Sequence, residues 1–486
     1  MSKVLITHSY FYKLDPKQWA FQQPYPPLGT LHAASVIREA GIEINFFDVA
    51  LNNRPEEIGV PLNSYKPLYF IIYDDGFNYL TKMCLTVMRE AAFKMSELAK
   101  KSGAIVIISS SDSTDHYEKY FERGVDYVIR GEGEETLREL LLALENKKTV
   151  DGILGIAYQR GNKTIVNAAR PVLRQLDNLP PPAWDLVDVE PYRKIWLDKH
   201  GYFSLNIATT RGCPFKCNWC AKPIYGNRYN SRSPKKVVDE IEYLLIKFNP
   251  THFWMCDDIF GLKPGWIKEF KNEVEQRNLD FKYKIQSRVD LLLEEDTIDS
   301  LVDSGIETIW VGAESGSQKI LDAMDKGTQV EQIYSATRLL KSKGVKIAFF
   351  LQFGYPEETQ NDIDLTLKMV LELMPDEIGI SVSYPLPGTK FYENVKSQLG
   401  TKQNWVNSDE LAMMFANTYP TAFYKILQRY VHGRYRLKLT FLYFKEYLKK
   451  PFNQFPRIKK FVALPYFFLL SLIYAIQLRK YHSHGN

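Results

Sequence analysis

Two successive series of short β-branched runs, each interrupted by helix-length stretches, constrain this chain more than any other feature. Parallel strands need crossovers long enough to hold a helix, so strand and helix patterns in alternation predict βαβ units and a parallel sheet. The first series is Val4-Leu5-Ile6-Thr7, Glu43-Ile44-Asn45-Phe46-Phe47, Tyr69-Phe70-Ile71-Ile72, Ala104-Ile105-Val106-Ile107-Ile108 and Asp126-Tyr127-Val128-Ile129. Five such strands predict a doubly wound, Rossmann-like domain over 1–145, with ligands beyond the C-terminal strand ends. Those ends carry His8-Ser9, Asp74-Asp75-Gly76, Ser109-Ser110-Ser111-Asp112 and Gly131-Glu132-Gly133-Glu134. Loops of this kind either let a ligand approach the backbone or are ordinary turns.

The segment 151–170 and the Pro-rich Leu179-Pro180-Pro181-Pro182-Ala183-Trp184 read as part of a linker over 146–195. The second series follows: Leu205-Asn206-Ile207-Ala208-Thr209, Thr251-His252-Phe253-Trp254-Met255, Phe281-Lys282-Tyr283-Lys284-Ile285, Thr308-Ile309-Trp310-Val311, Lys346-Ile347-Ala348-Phe349-Phe350-Leu351 and Glu377-Ile378-Gly379-Ile380-Ser381-Val382. Six repeats predict a partial (β/α)6 TIM-type barrel over 196–400, with its chemistry on the loops after the strands. The fold class is therefore α/β, with a helical, aromatic and basic C-terminal region over 401–486.

The 486 residues are enough for roughly two to four domains. The net charge of +5 hides an asymmetry. From 421 to 486 there are 13 Lys/Arg and one acid, Glu446, which leaves 49 basic against 56 acidic residues in the first 420. Those last 66 residues also hold 16 Phe or Tyr, among them Phe441, Tyr443, Phe444, Tyr466, Phe467 and Phe468. Aromatic and basic residues with little acid suit an interfacial helix on anionic lipid. A cap that buries its aromatics against the barrel is the competing reading, and nucleic acid is a weaker one, because no RNA-binding fold is visible. The apolar stretch 461–476, bracketed by Arg457, Lys459 and Lys460 and by Arg479 and Lys480, falls short of the ~20 residues of a spanning helix.

Five cysteines, an odd number, do not form a disulfide framework. No charged-then-apolar leader precedes the first strand run, so a reducing, cytosolic setting is expected, with peripheral contact on the inner face of the membrane as an extension. Cys84 and Cys256 stand apart, whereas Cys213, Cys217 and Cys220 fall within Thr209-Thr210-Arg211-Gly212-Cys213-Pro214-Phe215-Lys216-Cys217-Asn218-Trp219-Cys220, directly after the first barrel strand. Three thiolates cannot complete a four-ligand structural zinc site alone. They can hold three irons of a [4Fe–4S] cluster and leave the fourth open. A zinc site completed by Cys256, or three incidental cysteines, are the alternatives.

This loop resembles the signature of the radical S-adenosylmethionine (SAM) superfamily. The resemblance implies that the open iron is chelated by SAM and that the reduced cluster cleaves SAM to a 5′-deoxyadenosyl radical, with an external ferredoxin- or flavodoxin-type electron donor. Later strand ends resemble its cobalamin-binding branch, which includes the anaerobic magnesium-protoporphyrin IX monomethyl ester cyclase. They are Trp254-Met255-Cys256-Asp257-Asp258-Ile259-Phe260, Gln286-Ser287-Arg288-Val289-Asp290, Gly312-Ala313-Glu314-Ser315-Gly316, Gly354-Tyr355-Pro356-Glu357-Glu358-Thr359 and Tyr384-Pro385-Leu386-Pro387-Gly388-Thr389. The resemblance covers roughly 175–395. It implies SAM contacts from Phe215, Trp219, Asp257, Asp258, Arg288, Glu314 and Gly354. Helix capping competes for the two aspartates, and a salt bridge to Asp290 competes for Arg288.

Pro26-Pro27-Leu28-Gly29-Thr30-Leu31 and 124–134 resemble the cobalamin-binding domain of that branch, which implies contacts from Gly29, Thr30, Ser109, Ser110, Gly131, Glu132 and Gly133. The Asp-x-His-x-x-Gly sequence that supplies an imidazole to cobalt in many cobalamin proteins is absent. The implied chemistry is methylation of an unreactive carbon in a hydrophobic natural product or lipid. Radical cyclisation or oxygenation, methylthiolation of RNA, and a non-enzymatic cobalamin sensor are the alternatives.

Overall fold

The structure is a computed structural model of the chain and describes residues 3–83, 85–222, 224–401, 404–449 and 464–481. Cys84, Arg457, Lys459, Lys460 and Phe461 lie outside the described residues. The first sheet contains β1 (Val4–Thr7), β2 (Ile44–Phe46), β3 (Tyr69–Tyr73), β4 (Ile105–Ser109), β5 (Tyr127–Ile129), β6 (Ile156–Arg160) and β7 (Lys163–Val166), in the order β2-β1-β3-β4-β5-β6-β7. The first five are parallel, as expected, and β5-β6-β7 are antiparallel.

Side chains alternate across a strand, and here each face has its own core. Val4, Ile6, Ile71, Ile107 and Ile129 pack with Ala33, Ile37, Leu137 and Leu141, whereas Leu5, Phe70, Ile72, Val106 and Ile108 pack with Ala91, Ala92, Met95 and Ala99. Both faces are covered by helices, so these strands read as continuous apolar runs rather than alternating ones. The sheet extends past 145 into the segment assigned to the linker. β6 and β7 are joined by a two-residue Gly161-Asn162 turn and add a hairpin to its edge. A helix, Glu190–His200, occupies the end of the same segment.

The second sheet is the open barrel: β8 (Ser204–Ile207), β11 (His252–Met255), β12 (Lys282–Ser287), β13 (Ile306–Glu314), β14 (Lys346–Phe353) and β15 (Glu377–Val382), all parallel and in sequence order. Between β8 and β11, β9 (Thr210–Arg211) and β10 (Asn230–Ser231) pair antiparallel and close the base of the cysteine loop. The two domains share one apolar core, in which Tyr25, Leu28, Phe77 and Met88 of the first join Leu205, Ile207, Phe253 and Phe349 of the second.

The two described helices of the C-terminal region differ in how they are covered. The first turns of helix Thr421–Lys449 cap the barrel with Phe423, Tyr424, Leu427 and Val431, and the Tyr435 hydroxyl donates to the Pro375 and Asp376 carbonyls. The second helix, Leu464–Arg479, packs on the first. Its outer side chains are exposed. Among the described residues no helix is long and apolar enough to cross a membrane.

Candidate active site at the barrel mouth

The loop after β8 is fixed at both ends. At its start Asp257, fully buried beyond β11, accepts from the Thr209 amide (2.7 Å), the Thr210 amide (2.7 Å) and the Thr209 hydroxyl (2.6 Å). Burial outweighs these donors and pushes the Asp257 carboxyl up to about 6. Asp257 therefore holds the loop and has its oxygens committed. The observed partners of Asp257 are thus the loop's own amides and hydroxyl, whereas Asp258 beside it meets Lys82. Gly212 follows with φ +78°, and a Cβ there would stand 2.3 Å from the Arg228 carbonyl oxygen. Only glycine tolerates both the left-handed backbone and the contact. Further on, Asn218 receives the Tyr355 hydroxyl (3.0 Å), donates through its amide N–H to the Met324 carbonyl (3.0 Å) and through its side chain to the Ala323 carbonyl (2.6 Å).

Cys213, Cys217 and Cys220 lie on this one loop. Burial pushes the Cys213 thiol up, with Asp258 and Cys217 adding to the shift against Lys222. Cys220 is pushed up to about 12 by burial, again with Asp258 and the other two cysteines adding to the shift. Among the described residues no three His, Cys, Asp or Glu side chains are gathered closely enough to hold a metal ion as they stand. Neutral thiols have no mutual attraction, and metal–thiolate bonding would supply it while displacing the protons. Cys256 is buried with its thiol directed to the Ile207 carbonyl (3.3 Å). It is therefore committed to β8 rather than to completing a zinc site.

Two lysine–carboxylate pairs, one buried and one half-buried, flank the three thiols. Lys82, from the first domain, meets Asp258 at 2.5 Å. Burial opposes its charge, but Asp258 and the nearby Cys220 outweigh burial and hold its pKa above the usual value. Lys326 meets Glu314 at 2.8 Å with both side chains buried, and Glu314 with Cys217 overcomes burial in the same way. The Lys326 ammonium is 6.0 Å from the Trp219 ring centre, and the Trp219 indole N–H is buried without a partner. Asp258, Glu314 and Trp219 thus each have a lysine or an unused donor beside them near the thiols.

Arg288 takes the competing role. Its guanidinium is bidentate to Asp290 (3.0 Å twice), donates to the Lys326 carbonyl (2.8 Å) and lies 3.8 Å from the Phe215 ring centre. It supports the cysteine loop from below, with Phe215 as its platform. At Gly354, φ +72°, the close approach that glycine permits is made by Met413 and Tyr424 of the C-terminal region, each 3.1 Å from the position a Cβ would take. The Gly354 amide donates to Glu358 (2.7 Å), whose other oxygen is buried without a partner, as is the Tyr424 hydroxyl.

Burial pushes Glu358 up to about 8. A carboxyl whose pKa is higher folded than unfolded costs stability as pH rises from its ordinary value, 4.5, through about 8, and the cost is complete above that. Glu358→Gln keeps the acceptor without the charge. It is expected to be more stable than the native chain by roughly 2–4 kcal/mol near pH 9 and equal to it near pH 4.5, as thermal melts at the two values would show.

The strand ends of the first domain face this mouth, but most of the residues expected to contact cobalamin are used by the protein itself. Thr30 donates to the Tyr73 carbonyl (2.6 Å), the Gly29 amide donates to Asp75 (3.1 Å), and Ser110 caps the turn through Ser113. A Cβ on Gly133 would meet the Ser109 hydroxyl at 2.8 Å, so that glycine is needed for packing, and Gly131 alone faces open space. Glu132 is the most fully engaged of them. With Glu134 it clasps Arg211 of the cysteine loop, at 2.5 and 2.8 Å, all three buried. Burial raises Glu132 against the opposing pull of Arg211. The Tyr10 and Ser111 hydroxyls, just beyond β1 and β4, are buried without partners. Polar capacity therefore remains at the edge where such sheets bind ligands.

Sequence reasoning did not find Lys82, Lys326, Arg211 or Glu134 as site residues. The first two follow no motif, whereas the others stood inside quoted motifs without a role.

Residues 207–370 match the model of the Radical SAM superfamily. An uncharacterized methyltransferase of Pyrococcus horikoshii is 29% identical over 283 residues, 58% of this chain and 60% of that protein. The anaerobic magnesium-protoporphyrin IX monomethyl ester cyclase of Rubrivivax gelatinosus is 26% identical over 76% of this chain and 66% of its own length. Hopanoid C-3 methylase of Methylococcus capsulatus is 22% identical over 77% and 70%. The chain thus spans about two thirds or less of the first two relatives. Among solved structures, the cobalamin-dependent S-adenosylmethionine radical enzyme OxsB with aqua-cobalamin bound superposes with a TM-score of 0.73 at 18% identity, covering 100% of this chain and 76% of that one. With its barrel and its cysteine loop, the segment 207–370 is thus a radical SAM domain, and the chain as a whole has the two-domain fold of that solved structure.

Proposed function

We propose that this chain is a cobalamin-dependent radical SAM methyltransferase acting on an unreactive carbon of a hydrophobic natural product or lipid. The observation that carries the reading is the loop Cys213–Cys220 flanked by the Lys82–Asp258 and Lys326–Glu314 pairs, at the mouth facing the first domain. When bound, a [4Fe–4S] cluster supplies the electron that cleaves SAM to a 5′-deoxyadenosyl radical, and cobalamin supplies the methyl group. Cys213, Cys217 and Cys220 would hold the cluster. Asp258 and Glu314 are placed to receive an ammonium, since carboxylates form strong charge-assisted bonds to one, and their lysines would then be displaced or shared. The free Trp219 N–H offers one further donor. Packed apolar side chains of both domains would shield a carbon radical formed between them from water.

The reducing electron comes from an external donor of ferredoxin or flavodoxin type. A cytosolic setting follows from that need. Methylation by two uses of SAM leaves S-adenosylhomocysteine from the methyl donor and 5′-deoxyadenosine with methionine from the cleaved one. Anaerobic turnover of the reconstituted chain with cobalamin and a hydrophobic extract as substrate is expected to yield both nucleosides and a product heavier by one methylene. The similarity to the cyclase favours one second reading, ring closure, which would yield 5′-deoxyadenosine without S-adenosylhomocysteine.

A further inference from the structure

We propose that the outer face of the C-terminal helix pair docks on an anionic lipid bilayer, an inference independent of the barrel chemistry. In an ordinary surface helix the apolar stripe faces the protein and the polar one faces water. Helix Leu464–Arg479 is instead apolar all round. Tyr466, Phe468, Leu469, Leu472, Ile473 and Ile476 point outward, from 39% to 60% exposed, while the small polar Ser471 is buried against Gly433 of the first helix. A row of large apolar side chains turned outward needs an apolar medium.

Three observations identify that medium. First, at about 1.5 Å per residue the helix is too short for a hydrocarbon core of about 30 Å, so it lies in the interface rather than crossing it. Second, the apolar row is rimmed by cations. Arg479 and Lys480 follow it directly, and Arg434 and Lys438 edge a groove of about 590 Å³ floored by Leu371, Leu437, Phe441 and Phe468. An apolar floor under a cationic rim suits an acyl chain beneath a phosphate headgroup. Third, the 13 basic residues against one acid over 421–486 disfavour a second copy of this chain, which would bring two such tails together, and favour a surface of opposite sign. RNA would satisfy the charge but would leave the aliphatic row in water.

The test is flotation of the full chain with vesicles of phosphatidylcholine alone and of phosphatidylcholine with phosphatidylglycerol. The native chain is expected to float with the anionic vesicles, to release as salt shortens the screening length from about 10 Å at 0.1 M to about 3 Å at 1 M, and to float poorly with neutral ones. Two double variants are compared with it, Leu469→Glu with Ile473→Glu and Arg434→Gln with Lys438→Gln. These positions are outside the barrel core, and matching circular dichroism melts would confirm the fold. Each is expected to lower apparent affinity about tenfold or more. Equal flotation of native chain and variants, equal binding to both vesicle types, or no binding by the folded native chain would overturn the proposal. So would a concentration-dependent dimer, abolished by Leu469→Glu with Ile473→Glu, in a chain that does not float.

Discussion

A Cys217→Ala chain is expected to fold like the native one and to lose its iron–sulfur chromophore and all measurable SAM cleavage. Cys217 makes no packing contribution comparable to that of the buried Asn218 beside it, whose three partners fix the loop. Two thiols cannot replace three, because an iron left without its thiolate loses the bond that keeps the cluster in the loop. The loss should therefore exceed the 10–100-fold that removal of an outer-shell partner costs a metal site. Iron and sulfide analysis, visible absorption and far-ultraviolet circular dichroism on the same preparation separate a lost cluster from a lost fold. A variant that keeps its chromophore would place the cluster elsewhere.

The second large effect is expected at Arg211. Its guanidinium lies between Glu132 and Glu134 with the Phe77 and Tyr225 rings beside it, and it ties the cysteine loop to the first domain. Arg211→Met would leave two buried carboxylates facing each other without a counter-charge. Breaking such a pair costs about 3–5 kcal/mol, even where replacing the whole group by apolar residues costs little. Urea denaturation should show that loss near pH 8. It should shrink toward pH 5. Glu132 already has a pKa above the usual range, and without Arg211 it moves higher, so the penalty of its ionised form is relieved as pH falls through that value. Adding Glu132→Gln and Glu134→Gln should restore part of the stability at pH 8. An Arg211→Met chain as stable as the native one would show that the domains are held by their apolar core alone.

The two sheets were legible in the sequence because most of their parallel strands are short apolar or β-branched runs separated by helix-length stretches. The hairpin β6-β7 was not, although Gly161-Asn162 between Ile156-Ala157-Tyr158 and Thr164-Ile165-Val166 is a two-residue turn signal. Its strands are short and partly polar, as an exposed sheet edge allows, and that polarity made the segment look like linker. At the site, the spacing of the cysteines and the position of Asp258 and Glu314 at strand ends could be read directly. Lys82 could not, because the side chain that pairs with Asp258 comes from the other domain, 176 residues earlier. The partners that Asp257 and Glu132 find within the protein were not legible, for one common reason. Motifs mark strand ends, but neighbouring carboxylates there divide between holding backbone amides or arginines and facing the cavity, and only the fold decides which does which. In the C-terminal region, composition could not separate a cap from an interfacial helix, and the structure shows a cap in the first helix and an exposed apolar face on the second.

The most direct measurement is the formation of 5′-deoxyadenosine from SAM by the native chain, reconstituted anaerobically with iron and sulfide and supplied with a low-potential reductant. Nucleoside release that depends on the reductant, and that vanishes on Ala replacement of Cys213, Cys217 or Cys220, is the expected result. No 5′-deoxyadenosine from a chain whose iron and sulfide content shows a filled [4Fe–4S] cluster would contradict radical SAM chemistry at this loop.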